Sequence, residues 1–142
     1  MAKITIKLVG EKEFQIDLNH LKKKIRKDVG VLTKGTGVKI ADQSKKNLTV
    51  NRSVVTGTLR RSMTSEYHEA RIYSEAGTNV SYAPPVEFGH RQTPGRYVHA
   101  IRRRLKAARV AAKPFLTPAY KRYEPVYYRG LMMLLKGAFP RG

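Results

Sequence analysis

Side chains capable of acid–base or metal chemistry are few in this sequence and do not form a known motif. Four histidines stand in unrelated contexts: His20, His68, His90 and His99. Glu87 lies three residues before His90, so the two side chains could meet on one helical turn. Two ligands do not make a metal site, and no HExxH sequence adds a third. We therefore assign no metal ligand and no catalytic residue, and we expect no cofactor.

Other enzymatic signatures are also missing. The Gly35-Thr36-Gly37 sequence lacks the rest of either phosphate-binding fingerprint, and a turn explains it better. No GxSxG sequence is present, and the absence of cysteine excludes thiol nucleophiles, disulfides and thiolate metal sites. One enzymatic alternative is a ribosome-dependent ribonuclease toxin, because a small basic enzyme of that class could work with Arg, Lys, Tyr and His alone. Our prediction is that the protein is not an enzyme.

The charge balance predicts an anionic partner. The sequence holds 29 Lys and Arg against 10 Asp and Glu, a formal net charge of +19, and such a field attracts nucleic acid or an acidic protein surface. Residues 91–113, the basic segment, contain eight Lys or Arg and no acidic residue. A turn at 93–95 lies near its start. A connection of this length within one domain is usually functional or mobile.

Nonspecific binding of nucleic acid is the alternative function that the basic segment allows. The segment shows no helix-turn-helix pattern, no zinc finger and no aromatic platform for RNA, since Tyr97 is its only aromatic residue. Sequence-specific recognition is therefore not predicted. The residues that could face DNA phosphates or a protein partner are Arg102, Arg103, Arg104, Lys106 and Arg109.

Length and hydropathy indicate a single domain covering residues 1–142, with the basic segment as a loop or arm before the last helix. A chain of 142 residues with 41% hydrophobic content is sufficient for one core. No apolar run reaches the roughly 18 residues of a membrane span, and the N-terminus lacks the apolar stretch of a signal peptide. We expect synthesis in the cytosol and no association with a membrane.

The N-terminal residues have the periodicity of strands. Residues 4–8 alternate apolar and polar side chains, and residues 14–16 resume the alternation after a turn at 10–13. A short hairpin is therefore predicted before residue 17.

A helix is predicted to follow, with Asp17 as its N-cap. Between positions 18 and 32, apolar residues recur every three or four positions, which is the stripe of an amphipathic helix. Glycines between positions 30 and 37 are expected to kink the helix or to end it, with a restart near Val38 that runs to about Lys46.

The second half of the sequence predicts strands and then a helix. Residues 62–67 and 70–76 have strand character, and residues 80–82 could extend the sheet before two prolines stop it. The last helix is expected to begin with Thr117 as its cap and Pro118 at its first position.

Pro125 should kink this last helix, because it deletes a backbone hydrogen bond. Together the elements predict an α+β fold. In this fold a small, mainly antiparallel sheet packs against a long helix near 18–46 and against the kinked C-terminal helix.

Three sequence blocks carry a resemblance to a known family. Residues 55–63 read VTGTLRRSM, a TG-x-L-x-x-S turn into a strand; residues 77–90 include YAPPVEFG; and residues 112–119 read AKPFLTPA, with a PFL-x-PA pattern. In order and spacing, the blocks resemble the phage tail-component family of head–tail joining and tail-completion (neck) proteins of siphophages. The motif residues are Thr56, Gly57, Leu59, Ser62, Tyr82, Ala83, Glu87, Phe88, Gly89, Pro114, Phe115, Pro118 and Ala119.

The resemblance covers most of residues 18–136, and it implies a function. A member of this family is a structural protein of the virion, located at the head–tail interface. It assembles with itself into a closed ring, most often sixfold, around the channel through which the genome passes. The implied partners are the head connector or adaptor protein, the tail tube protein and, in nonspecific contact, the genome DNA. The basic segment and the N-terminal hairpin depart from the family pattern as local elaborations.

The motif residues also have a structural explanation. Gly57 suits a turn that needs a positive φ, and Gly89 ends a short helical turn. We therefore interpret these blocks as parts of the fold before we interpret them as partner contacts. The side chains predicted to pack around the two turns are Leu59, Tyr82, Val86, Phe88, Phe115 and Leu116.

Overall fold

A computed structural model describes residues 11–52 and 57–139, and the fold is α+β as predicted. A single 3-10 turn, His99–Ile101, lies inside the basic segment. Within the described residues the strands pair as antiparallel two-stranded ladders, β1 with β2, β3 with β6 and β4 with β5. The elements in chain order are α1 (Glu11–Val50), α2 (Thr58–Ser62), β1 (Thr64–His68), β2 (Tyr73–Gly77), α3 (Ala83–Phe88), β3 (His90–Arg91), β4 (Tyr97–Val98), β5 (Arg103–Arg104), β6 (Arg109–Val110) and α4 (Leu116–Ala138).

The first helix is longer than predicted. α1 is continuous over 40 residues and begins at Glu11, so the turn at 10–13, the strand at 14–16 and the cap at Asp17 are wrong. Glu, Lys and Gln in this stretch favour a helix, and an alternation over three residues is too short to override that preference. The strand predicted for residues 4–8 lies outside the described residues.

The predicted interruption of α1 by glycines is also wrong: the helix is continuous, and Gly30 and Gly37 form part of its packing seam. The buried positions of α1 recur every three or four residues and carry mostly small side chains, which let other elements approach the helix backbone. Thr33 and Ser44 satisfy their buried hydroxyls by donating to the carbonyls four residues earlier, each at 2.8 Å. The buried residues of the seam are Gly30, Thr33, Gly37, Ala41, Ser44 and Leu48.

Gly37 and Gly35 lie two residues apart in α1 but in different surroundings, so substituting each of them tests this explanation. A methyl group at Gly37 would overlap Ser74 Oγ and lie 2.8 Å from Ser74 Cβ, so rotation of the hydroxyl cannot relieve the clash. Gly37→Ala should therefore lower the free energy of unfolding by about 1–3 kcal/mol. A methyl group at Gly35 would have no neighbouring atom within 4 Å, and Gly35→Ala should raise stability by about 0.5–1 kcal/mol through helix propensity. Urea denaturation of both variants measures the difference, and an equal gain from both would contradict the seam.

The β1–β2 hairpin lies on this seam. Its register runs from Thr64 opposite Gly77 to His68 opposite Tyr73, and the turn is held by Arg26, which donates to the carbonyl of Ala70 at 2.8 Å. The two predicted strands are confirmed with bounds shifted by one to three residues. Residues 80–82 do not extend the sheet, since they turn into α3 instead.

The hydrophobic core lies where the end of α1 meets α2, α3 and the start of α4. Gly57 has φ 73°, so the predicted positive-φ turn is confirmed. Leu59 and Phe115 are buried, as predicted. Asn47 secures the same region by donating to the carbonyl of Phe115 at 2.8 Å. The buried core residues are Leu48, Leu59, Met63, Ala83 and Phe115, with Val80, Val86 and Leu116 packed against them.

α4 runs antiparallel to α1 along most of its length. Thr33 Oγ1 and Tyr127 OH share a hydrogen bond of 3.0 Å, and Arg122 donates to Gln43 Oε1 at 3.5 Å. Pro125 lies inside α4, as predicted, where it removes one backbone donor.

The basic segment folds back on itself rather than forming an irregular loop. β3 and β6 pair at its base, and β4 and β5 pair nearer its tip. Between these ladders, Gly95 N donates to the carbonyl of Leu105 at 2.8 Å, and Leu105 N donates to the carbonyl of Arg96 at 2.9 Å. Gly95 has φ 83° in the turn predicted at 93–95. The segment is therefore a narrow, two-tiered antiparallel arm.

Candidate assembly surfaces

Glu87 joins α3 to the start of α4. Its buried carboxylate accepts three backbone hydrogen bonds: Oε2 from Phe115 at 2.8 Å and Leu116 at 3.0 Å, and Oε1 from Thr117 at 2.9 Å. The first four N–H groups of an α-helix have no partner inside the helix. Here three of them bind Glu87, and the fourth position is Pro118, which has no N–H. One carboxylate therefore caps the whole start of α4.

The charge of Glu87 is favoured by this arrangement. Burial by itself raises the pKa of the carboxyl, but hydrogen bonds from the Thr117 side chain and from the three amides together outweigh burial. The pKa of Glu87 therefore lies below its ordinary value of 4.5. The positive end of the α4 dipole favours the ionised form as well. Lys113 N adds a second tie, since it donates to the carbonyl of Val86 at 2.8 Å.

This arrangement corrects the predicted start of the last helix. α4 begins at Leu116, and its N-cap residue, Phe115, makes no side-chain capping bond. Thr117 is therefore not the cap, and Pro118 occupies the third helical position rather than the first. Sequence reasoning missed the role of Glu87. The sequence marks Glu87 only as the single acidic residue in the block 77–90, and Thr117 at the helix start suggested a different cap.

An apolar groove opens between the hairpin and α4, with α1 as its floor. Its volume is about 500 Å³. Ile40 and Thr36 of α1 form part of the floor, and Tyr73 of β2 stands on one wall. On the other wall, Tyr120 donates to Glu124 Oε1 at 3.1 Å, and this bond with the carboxylate raises the pKa of the Tyr120 hydroxyl. The remaining lining is predominantly apolar and aromatic, so the groove could receive an apolar side chain or segment.

The groove continues into an exposed apolar stripe along α4. The stripe residues are spaced by three or four positions, which places them on one side of the helix. Tyr128 belongs to both features, because it also lines the groove. Contiguous apolar surface of this kind is typical of protein–protein contacts. The exposed residues of the stripe are Tyr128, Met132, Leu135 and Phe139, the last of them just beyond the helix end.

The motif residues separate into buried and exposed groups. Leu59, Ala83, Phe115 and Ala119 are buried, and Ser62 Oγ bonds with Thr78 Oγ1 beside them. Gly89 ends α3 with φ 75°, as predicted. The prediction that Tyr82 and Phe88 pack in the core is wrong, because both are exposed. Of the remaining motif residues, Pro114 and Pro118 are exposed, and Thr56 lies outside the described residues.

The arginines and lysines predicted to face a partner all lie on the arm formed by the basic segment. Arg102 sits at the tip with φ 48°, just after the 3-10 turn. Arg104 is the one whose side chain makes a hydrogen bond with another described residue, since its guanidinium donates to the carbonyl of Gly95 at 2.8 Å. The exposed residues of this set are Arg102, Arg103, Arg104, Lys106 and Arg109.

The described residues contain neither a metal-binding cluster nor a membrane-spanning helix. No group of three His, Asp or Glu side chains lies close enough together to hold a metal ion in this part of the chain. Among the same residues, no helix is both long and apolar enough to cross a membrane.

Comparison with known proteins identifies a family. Residues 12–89, just over half of the chain, match the family model described as "Bacteriophage HK97-gp10, putative tail-component". No curated protein and no solved structure matches the chain. The matched range contains α1, the β1–β2 hairpin and α3 with Glu87, whereas the basic segment and α4 follow it. The chain therefore belongs to the HK97-gp10-like family and is a structural, virion-associated component of a bacteriophage tail.

Proposed function

We propose that this tail component is a non-enzymatic, ring-forming subunit for head–tail joining or tail completion. Copies of the chain form a closed ring, sixfold in symmetry, at the head–tail interface. The ring contacts the head connector on one side and the tail tube on the other, and the genome passes through its centre. Family membership supports the tail assignment, and the motif blocks support the more specific role.

The observation that carries the proposal is the apolar surface formed by the groove and the α4 stripe. It leaves aromatic and aliphatic side chains in water along one side of the C-terminal half of α4. A cyclic ring needs a heterologous contact, in which one surface of a subunit meets a different surface of the next. An apolar stripe beside an apolar groove gives such a contact its hydrophobic centre.

Several described elements leave surface outside the small core, which agrees with an assembled state. The long α1, the thin arm and the exposed side of α4 all add surface that the small core does not cover. Contact with neighbouring subunits stabilises such a chain, because binding favours the folded state.

Met132 and Met133 provide a matched pair for testing the proposal. They are adjacent in α4, and both are exposed, at 55% and 71%, but only Met132 lies on the stripe. Met132→Asp should prevent ring formation, because the contact would bury an unpaired charge. Met133→Asp should leave it intact. The measurement is complementation of a phage that lacks the wild-type gene, read by electron microscopy, together with the mass of the purified protein in solution.

Separate filled heads and tails with Met132→Asp, but joined particles with Met133→Asp, are the expected outcome. Joined virions with both variants would contradict the role of the stripe. A ribonuclease activity of the purified protein on ribosomes would contradict the structural assignment itself.

Nonspecific binding of DNA remains a second candidate function, and one observation favours it. Every Lys and Arg of the basic segment is exposed, and no acidic residue accompanies them. Such a surface can neutralise phosphates, with binding that weakens as salt rises. In the ring, the same arm could contact the passing genome.

A further inference from the structure

The outer face of the β1–β2 hairpin carries an unusual pair of like charges. The register places Glu66 directly opposite Glu75, and both side chains are exposed. Glu69 follows in the adjoining turn. Like charges directly opposite each other on a ladder are destabilising. We call this surface the acidic face; it consists of Glu66, Glu75 and the neighbouring pair His68 and Tyr73.

Among the described residues, the acidic face has no Lys or Arg as an ion-pair partner. In the described residues, no Lys or Arg lies within ion-pair distance of Glu66 or Glu75, and the single side chain found at that distance is His68, with Nε2 4.0 Å from Glu75 Oε2. This is notable in a chain of net charge +19.

The arm formed by the basic segment also carries a pair of like charges directly opposite each other, but these charges are positive. Its base ladder places Arg91 directly opposite Arg109, and both are exposed. Arg103 lies exposed on the second ladder, opposite Val98. None of these arginines makes an ion pair with another described residue. The arm and the acidic face therefore each keep a like-charged pair that needs a counter-charge.

The arm and the acidic face are complementary in the chemistry of their side chains as well as in the sign of their charge. Six of the eight cationic residues of the arm are arginines, whose planar guanidinium groups bind carboxylates through two parallel hydrogen bonds. A guanidinium also stacks on aromatic rings. The acidic face offers both, because the rings of His68 and Tyr73 stack at 4.4 Å beside the two carboxylates.

We propose that the arm of one copy docks on the acidic face of the next copy, through Arg91 and Arg109 against Glu66 and Glu75. The contact is head-to-tail, so it repeats around a closed ring; it thus rests on the proposed ring and names one of its contacts. DNA could satisfy the arm, but it would be repelled by the acidic face. A second copy satisfies both surfaces at once.

Charge reversal tests the contact in the full-length protein. Two variants, E66K/E75K and R91E/R109E, each place like charges across the proposed interface, and the fourfold variant with all four substitutions restores opposite charges. Each double variant should raise the apparent dissociation constant of the ring about tenfold or more, and the fourfold variant should recover most of that loss. Sedimentation at low and at high salt measures assembly, and wild-type assembly should weaken as salt rises.

Two control variants each reverse one charge away from the contact, which is half the change in charge of the double variants. Asp42→Lys and Lys39→Glu alter exposed residues of α1 and should leave assembly unchanged. Circular dichroism checks that all variants are folded. A parallel titration with duplex DNA separates a nucleic-acid role of the arm from the protein contact.

The outcomes distinguish this contact from the ring itself. Normal rings from both double variants, or no recovery in a folded fourfold variant, would overturn the contact and leave the ring standing. If R91E/R109E lost DNA binding but formed unchanged rings, the contact would also be overturned and the ring would stand. The arm would then be a surface that binds nucleic acid. A wild-type protein that forms no ring at any concentration would overturn the ring and the contact together.

Discussion

Replacing Phe115 by alanine is expected to lower the free energy of unfolding by about 3–5 kcal/mol. Phe115 is 2% exposed and is among the largest fully buried side chains of the described residues. It lies in one cluster with Leu48, Leu59 and Met63, so truncation leaves a cavity that several elements share. Because α4 begins directly after Phe115, the loss should also loosen the docking of that helix.

Phe88 provides the matched control for this change. It has the same side chain but is 75% exposed, so Phe88→Ala should alter stability by no more than about 0.5 kcal/mol. Leu59→Ala should have an effect similar to that of Phe115→Ala and lower the free energy of unfolding by about 2–5 kcal/mol. Urea unfolding of the purified variants measures all three. If Phe115→Ala kept wild-type stability and lost only assembly, Phe115 would be an interface anchor rather than a core residue.

Sequence reasoning located the core because core residues leave local signals. Leu59 follows a glycine turn, and Phe115 precedes a Thr-Pro pair, so each is an apolar residue anchored beside a recognisable boundary. The β1–β2 hairpin was predictable for the same reason, since its alternation is local. The prediction that Phe88 is buried was wrong. An aromatic residue in a motif block suggests burial, but Phe88 lies at the end of α3 and is exposed to solvent.

The continuous α1 was not predictable from propensity, because tertiary packing decides it. A glycine in an isolated helix costs about 1 kcal/mol relative to alanine. Gly37 and Gly30 occur where hydroxyls of the hairpin approach the helix backbone, and that close approach is visible only once the partner strands are in place. The sequence shows the cost of these glycines but not the packing that requires them.

The candidate surfaces were predictable in part. The exposed cations of the arm follow directly from a segment that holds eight Lys or Arg and no acidic residue. Their pairing into ladders does not, because an arginine opposite an arginine is unfavourable on local grounds. The cap by Glu87 was equally hidden, since it joins residues 28 positions apart, and capping rules look within one turn of a helix start.

Removal of the Glu87 carboxylate is expected to destabilise the fold about as strongly as loss of Phe115. Glu87→Ala leaves three amide N–H groups of the α4 start without acceptors, and each costs about 1–3 kcal/mol when buried. We expect a total loss on the order of 3–5 kcal/mol, because such terms are not additive. Glu87→Gln keeps one acceptor oxygen but points its amide donors at backbone donors, so it should lose a substantial part of the same amount.

The pH dependence of stability separates the effect of the negative charge of Glu87 from the effect of the shape of its side chain. A carboxyl whose pKa is lowered by folding stabilises the folded state when it is ionised, so its contribution is complete above its ordinary pKa of 4.5. The contribution disappears as the pH falls through the lower pKa of the folded state. Wild-type protein should therefore lose stability below pH 4.5, and the stability of Glu87→Gln should depend less on pH in this range.

Asp42→Asn is the control, since Asp42 is an exposed carboxylate paired with Lys45 at 3.6 Å, and such pairs contribute little. Urea midpoints measured between about pH 3 and 7 decide the matter: parallel curves for wild type and Glu87→Gln would show that the ionised carboxylate does not hold α4 in place.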